Sequence, residues 1–163
     1  MRLSTQQYFA LCASGAIAVF VIVFFFTPSG PIRGPVSEGS EESASGEPEA
    51  VANTWLSLID GKDYRTAWEE AAKSTRREFS MDVFSRLYVE QVQPLGSVRR
   101  RTLLGAASAT SLPNGQKGNF RLFKYRTSYE NDEGRSRDET VTLKAENGVW
   151  KVTNHDVCLH TVR

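Results

Sequence analysis

The sequence predicts an α+β fold behind a membrane anchor: an N-terminal transmembrane helix, then three helices packed on a curved four-stranded antiparallel sheet. Three features predict it. An uncharged run of 20 residues stands near the N-terminus, apolar residues recur at helical spacing from Val51 to Gln91, and the pattern becomes that of strands after Pro94. Helices first and strands afterwards is the order of an α+β domain.

The anchor comes first. Residues Tyr8–Thr27 read YFALCASGAIAVFVIVFFFT. At about 1.5 Å per residue a helix of this length covers the roughly 30 Å hydrocarbon core of a bilayer, and it satisfies its own backbone groups there. Pro28 and Gly30 stop it. A cleaved secretory signal is the competing reading. Signal cores run roughly 7–15 apolar residues and end at small residues, whereas this run is longer and ends in Phe24, Phe25 and Phe26. An uncleaved signal-anchor over residues 1–27 is therefore the expectation. Arg2 and the α-amino group flank the run on its N-terminal side, so the positive-inside bias places the rest of the chain on the extracytoplasmic side of a cytoplasmic (inner) membrane.

Residues 28–49 are a linker. Pro, Gly, Ser and Glu dominate it, with almost nothing to bury, and such a segment cannot offset the entropy lost by ordering. Five acids (Glu38, Glu41, Glu42, Glu47, Glu49) stand there against Arg33. Removing that stretch and Arg2 from the totals of 20 basic and 19 acidic residues leaves 18 and 14, or +4. That falls short of a nucleic-acid-binding composition. Two cysteines are too few for a disulfide framework.

Residues 50–163 form the globular part. Val51, Trp55, Leu58 and Ile59 share one helical face, with Gly61 as the stop. Asp63 caps a second helix carrying Tyr64, Ala67, Trp68 and Ala71, and Ser80 caps a third carrying Phe84, Leu87, Tyr88 and Gln91. Strands are predicted at Ser97–Leu104, Asn119–Tyr129, Arg137–Ala145 and Val149–Thr153. Pro113-Asn114-Gly115, Asn131 to Gly134 and Asn147-Gly148 break them, and the last pair signals a tight hairpin. Trp55, Trp68 and Trp150 are the expected core.

Several segments together resemble the bacterial domain-of-unknown-function family DUF4019: TWLSLIDGKDYRTAWEEAA, PLGSVRRRTL, TSLPNGQKGNFRLFKYRTSYEN and ETVTLKAENGVWKV. The similarity covers about Ala52 to Val152. It implies an often exported small domain of the cystatin-like or nuclear-transport-factor-two-like superfold, and it brings no established activity and no catalytic residues. The segment Asn154–Arg163 replaces an expected short aromatic strand.

Three constellations are candidates for chemistry. Tyr88, Tyr125 and Tyr129 with Glu139 or Asp138 would furnish polar groups to a cavity between helices and sheet, or else serve as amphipathic core and rim. Arg99, Arg101, Lys124 and Arg126 would form a basic stripe for an acidic protein or anionic lipid if the first two strands pair, or else a solvated face. Asp156, Cys158 and His160 alternate along one side of a strand and are metal- or thiol-site types, or else a polar strand beside a buried cysteine. No phosphate loop, nucleophile elbow or paired-cysteine motif occurs, and no cofactor is expected.

The expectation is a membrane-tethered, noncatalytic binding or interaction module, partnered with the bilayer through Tyr8–Thr27 and not with nucleic acid. A pocket that binds or converts a small ligand, and a metal or thiol site at the C-terminus, are the alternatives. The full-length chain should stay with membranes through an alkaline carbonate wash, and a variant lacking residues 8–27 should appear in the supernatant. Release of the intact full-length chain would exclude the anchor.

Overall fold

A computed structural model of the chain describes residues 46–159. Helix α1 (Pro48–Asp60) opens with Pro in its first turn, where the missing N–H costs nothing, and Glu49 complements its positive end. Its buried residues Ala52, Trp55, Leu56 and Ile59 repeat at three and four, so one stripe faces the core. The Asp63 carboxylate accepts from the Thr66 N–H and caps α2 (Tyr64–Glu70).

The second predicted helix ends at Glu70, and a further helix that was not expected follows it. The chain turns extended at Ala71 and Ala72, and a separate α3 follows (Lys73–Glu78), so there are four helices where three were expected. The cause is tertiary. The Ala72 N–H donates to the Val152 carbonyl at 2.8 Å, and the Glu146 carboxylate accepts from the Lys73 N–H at the start of α3. Helix α4 (Met81–Gln91) is capped by the Ser80 hydroxyl, as expected, and a 3-10 turn at Gln93–Leu95 ends at Gly96.

The sheet is antiparallel with order β1-β2-β3-β4. Its strands are β1 (Val98–Ser111), β2 (Lys117–Tyr129), β3 (Ser136–Glu146) and β4 (Val149–Leu159). Every predicted strand exists, but β1 and β4 run well past the predicted ends. Asn147 and Gly148 both take positive φ, 52° and 73°, the geometry of a two-residue hairpin turn matched to strand twist. The α+β class holds. Among the described residues no helix is long and apolar enough to cross a membrane, and the anchor assigned to residues 8–27 lies outside them.

One irregularity decides which β4 side chains face the helices. Trp150 and Val152 pair with Ala145 and Leu143, but Asn154 pairs with Thr142, so Thr153 is an extra residue in the ladder. Its carbonyl accepts from the Thr75 hydroxyl at 2.9 Å, and its hydroxyl meets the Ser74 hydroxyl at 3.1 Å. This bulge reverses the alternation. Beyond it, odd-numbered residues face the helices, starting with His155 opposite Val141.

The core joins α1 and α4 to β2, β3 and β4 through Trp55, Leu56, Phe84, Phe123, Val141, Leu143 and Trp150. Trp55 meets Phe84, Tyr88 and the His155 ring edge to face, at centroid distances of 6.5, 6.2 and 5.2 Å. Trp68 is only half-buried, packing on this core while its Nε1 donates to the Phe79 carbonyl.

Two glycines in left-handed backbone differ in what a side chain would meet. A Cβ at Gly148 finds open space, whereas one at Gly96 would lie 2.9 Å from Asn131 Nδ2 and 3.0 Å from Glu130 Cβ. Gly148→Ala should therefore cost only the conformational term, about 1 kcal/mol. Gly96→Ala, at φ 79° and ψ −165°, should cost at least about 2 kcal/mol. Urea unfolding of the two variants checks the order.

Candidate functional site

The polar centre of the domain starts with Glu139. Its side chain is fully buried on β3, facing the helices, and ionised carboxylates accept at about four lone-pair positions. All are taken. Oε2 accepts from Arg101 Nε at 2.6 Å and from the Thr127 hydroxyl at 2.5 Å, and Oε1 accepts from Arg101 Nη2 at 3.1 Å and meets His155 Nε2 at 2.9 Å. Arg101 extends the network outward, donating through Nη1 and Nη2 to both oxygens of Asp60 at 2.7 and 3.0 Å. Asp60 is the last residue of α1, where a carboxylate alone would oppose the helix dipole, so the guanidinium offsets both.

On the other side, His155 Nδ1 meets the Tyr88 hydroxyl at 3.2 Å, with the two rings stacked 5.8 Å apart. Since the carboxylate only accepts, Nε2 carries a proton, and Nδ1 is the ring atom that faces the Tyr88 hydroxyl. A single chain of contacts, Asp60–Arg101–Glu139–His155–Tyr88, thus crosses α1, β1, β3, β4 and α4.

Burial favours the protonated form of Glu139, but His155 and Arg101 outweigh it by hydrogen bonds and charge, holding the carboxyl at about 2. Burial, and then the charges of Asp156 and Glu139, push the Tyr88 hydroxyl well above its ordinary range. Glu139 therefore has neither a vacant lone pair nor the basicity of a proton acceptor near neutrality, and Tyr88 stays an un-ionised hydroxyl. The hydroxyl–imidazole–carboxylate order resembles a nucleophile relay, but burial raises the ionisation of the Tyr88 hydroxyl, which opposes its activation.

A cleft of about 130 Å³ opens beside the network, between the end of α1, the start of α2, the turn after α4 and the ends of β1 and β2. Ile59, Asp60, Tyr64, Val92, Val98 and Tyr129 line it, with Lys62 and Glu130 also contributing. Tyr129 is 3 % exposed, and its buried hydroxyl makes no close, well-aligned hydrogen bond, Arg101 being the side chain that interacts with it. Burial, then the Glu139 charge, push its ionisation upward, and it is a neutral donor and acceptor.

The structure sorts the predicted residues differently from their sequence grouping. Tyr88 and Glu139 belong to the network, and Tyr129 to the cleft. Tyr125 faces the helices too, but its hydroxyl donates to Asn53 Oδ1 at 3.1 Å, and burial pushes it up to about 12. The basic stripe is divided by the register. Arg101 lies opposite Thr127, facing the helices, while Arg126 lies opposite Thr102 on the other face. On that face Lys124 and Arg126 pair with Asp138 at 3.1 and 3.3 Å, and Arg99 is exposed at a bulge. Asp156 and Cys158 lie on β4 opposite Thr140 and Asp138, on the face away from the helices, and His160 lies outside the described residues. Asp156 accepts from Asn154 Nδ2, and its carboxyl is raised by burial. Among the described residues no set of three His, Cys, Asp or Glu side chains converges as metal ligands.

Three members of the network were not among the predicted site residues. Asp60 reads as a helix-end acid, Thr127 as one residue of an alternating strand, and His155 as the outward neighbour of Asp156. The Thr153 bulge turns His155 in, and no spacing rule announces it.

The family model for proteins of unknown function, DUF4019, matches residues 51–155. The chain belongs to the DUF4019 family. The match spans α1 through the inward-turned His155, and so contains the whole network and the cleft. No curated protein and no solved structure matches the DUF4019 chain.

Folding lowers the Glu139 carboxyl from 4.5 to about 2. The stability it contributes is complete above the unfolded value and drains away as pH falls through the folded one. That window is worth on the order of 3 kcal/mol. Glu139→Gln should lose about 3 kcal/mol or more at pH 7, by stranding part of Arg101, and should flatten the stability profile between the two values. Lys124→Met, removing a cation 54 % exposed, should change stability by no more than about 0.5 kcal/mol. Urea unfolding across pH decides both.

Proposed function

We propose that the DUF4019 chain is a noncatalytic binding module, tethered to the bacterial cytoplasmic membrane by Tyr8–Thr27 and exposed to the extracytoplasmic space, with its ligand or partner engaging the cleft beside Asp60 and Tyr129. The observation that carries the reading is the contrast between two neighbouring places. Glu139 is saturated and held ionised, which suits a scaffold and disables a base. The cleft next to it is walled by Ile59, Tyr64, Val92, Val98 and Tyr129, with the exposed Lys62 and Glu130 also contributing. Its volume suits one side chain or one small headgroup rather than a whole drug-sized molecule, for which pockets run about 300–1,000 Å³.

Support for the tether is the uncharged 20-residue run, and support for a spacer is the acidic Pro/Gly/Ser stretch after it, which keeps the domain clear of an anionic surface. Helices on one face of a four-stranded antiparallel sheet, with a cleft at their junction, are also the features that favour a cystatin-like or nuclear-transport-factor-two-like architecture. The divided basic stripe weakens a purely electrostatic contact, since Arg101, Lys124 and Arg126 each have an acid beside them.

A photocrosslinker placed at Lys62, on the cleft's exposed rim, should give a discrete adduct in intact cells. The same group at Arg77, on α3, should not. Adducts of equal yield from both positions, or from neither, would remove the cleft as the binding place.

A further inference from the structure

The sheet has two outer edges, and they are covered differently. Along β4 the Val152 carbonyl accepts from the Ala72 N–H, and the Thr153 carbonyl accepts from the Thr75 hydroxyl. At the other end of the strand order stands β1, and among the described residues no strand pairs with its outer edge. With 14 residues it is also the longest strand. Unpaired backbone groups along such an edge are a template for another strand.

Charged side chains and proline are the common means of blunting an edge. From Thr102 to Ser111 the strand reads TLLGAASATS and has neither. Leu103 and Leu104 are 38 % and 48 % exposed. Register irregularities at Arg99 and Leu104 bend β1, but its ladder to β2 runs unbroken from Gly105 to Ala109. That segment holds only Gly, Ala and Ser, so no bulky side chain hinders the approach of a second backbone.

From these we infer that β1 is a homodimer interface: two copies of this chain pair β1 with β1 antiparallel, about a two-fold axis at Ala107, and so join their sheets. The distribution of charge favours a second copy. All formal charges of β1 stand at its beginning, on Arg99, Arg100 and Arg101. Pairing about Ala107 puts each Arg101 six residues from the axis, so the two lie roughly 40 Å apart, several Debye lengths at physiological salt. Each triplet comes to lie beside the uncharged turn Leu112–Gln116 of the other copy. Leu103 and Leu104 fall opposite Ser111 and Thr110, large against small. An acidic foreign strand would match only the arginine end and leave the ten uncharged residues unmatched. The two-fold contact uses each open edge once, so assembly stops at two. It is also separate from the cleft, none of whose lining residues lies between Thr102 and Ser111.

Pairing over so short a stretch belongs to the weak class of interfaces. Sedimentation velocity of the full chain in detergent micelles, from about 1 to 300 μM, should show monomer and dimer in equilibrium, half paired by about 100 μM. Ala107→Lys sets two ammonium groups opposite each other across the axis and should raise that midpoint at least about tenfold. Ala107→Ser should leave it within about twofold. Amide hydrogen exchange separates loss of pairing from loss of fold. In the wild type, amides between Thr102 and Ser111 should slow as concentration rises. In Ala107→Lys they should stay fast at every concentration, while those of Val141 and Leu143 remain slow. Should that variant unfold, the wild-type exchange decides alone.

A chain monomeric throughout would overturn the inference. So would a dimer equally tight in Ala107→Lys, which places the contact on another surface, or assemblies that grow beyond two. Slow exchange from Thr102 to Ser111 at every concentration would mean that this chain itself or a bound foreign strand covers the edge, and self-pairing falls.

Discussion

The pairing of Arg101 with Glu139 is the constraint on which the rest of this domain is arranged. A carboxylate with no exposed surface is tolerable only when ionic and hydrogen-bonding partners replace the water it lost. Those partners come from three places far apart in sequence: Arg101 on β1, Thr127 on β2 and His155 on β4. Each must arrive in register. Arg101 must also reach past β2 to β3, and once there it has donors left over for Asp60 at the end of α1. One buried charge thereby ties together four strands and the end of the first helix.

The bulge at Thr153 serves the same centre. Had β4 kept regular alternation from Trp150 and Val152, Asn154, Asp156 and Cys158 would face the helices and His155 would not. A second buried acid would then lie near Glu139 and repel it. The extra residue costs ladder hydrogen bonds, and Thr75, Ser74 and the Ala72 N–H take up part of that loss along the outer edge of β4. That edge contact is also why α2 and α3 are separate. The break at Ala71–Ala72 lets the connecting backbone reach Val152, covering a strand edge that would otherwise be open to other chains.

A saturated polar network and the cleft beside it divide the labour. Glu139, His155 and Tyr88 are locked by one another and by Trp55, which packs edge to face on both the His155 and Tyr88 rings. Rigidity of this kind positions surrounding groups without offering a reactive one. Tyr129, two residues beyond Thr127 on the same face of β2, sits where the network ends and the cleft begins.

What the sequence determined by itself is what local chemistry and period control. The α1 stripe, the Asp63 and Ser80 caps, the Asn147-Gly148 hairpin and the inward set Val141 and Leu143 follow from residue spacing and turn chemistry, because neighbours in sequence dictate those geometries. The family resemblance was equally legible, and it carried no site. Only the tertiary structure decided which face Arg101 takes relative to Lys124 and Arg126, that Asp60 and Thr127 join Glu139, and that His155 rather than Asp156 turns inward. Those outcomes depend on strand register and on one inserted residue, and a shift of one position exchanges the two faces of a strand without changing its composition or its alternation.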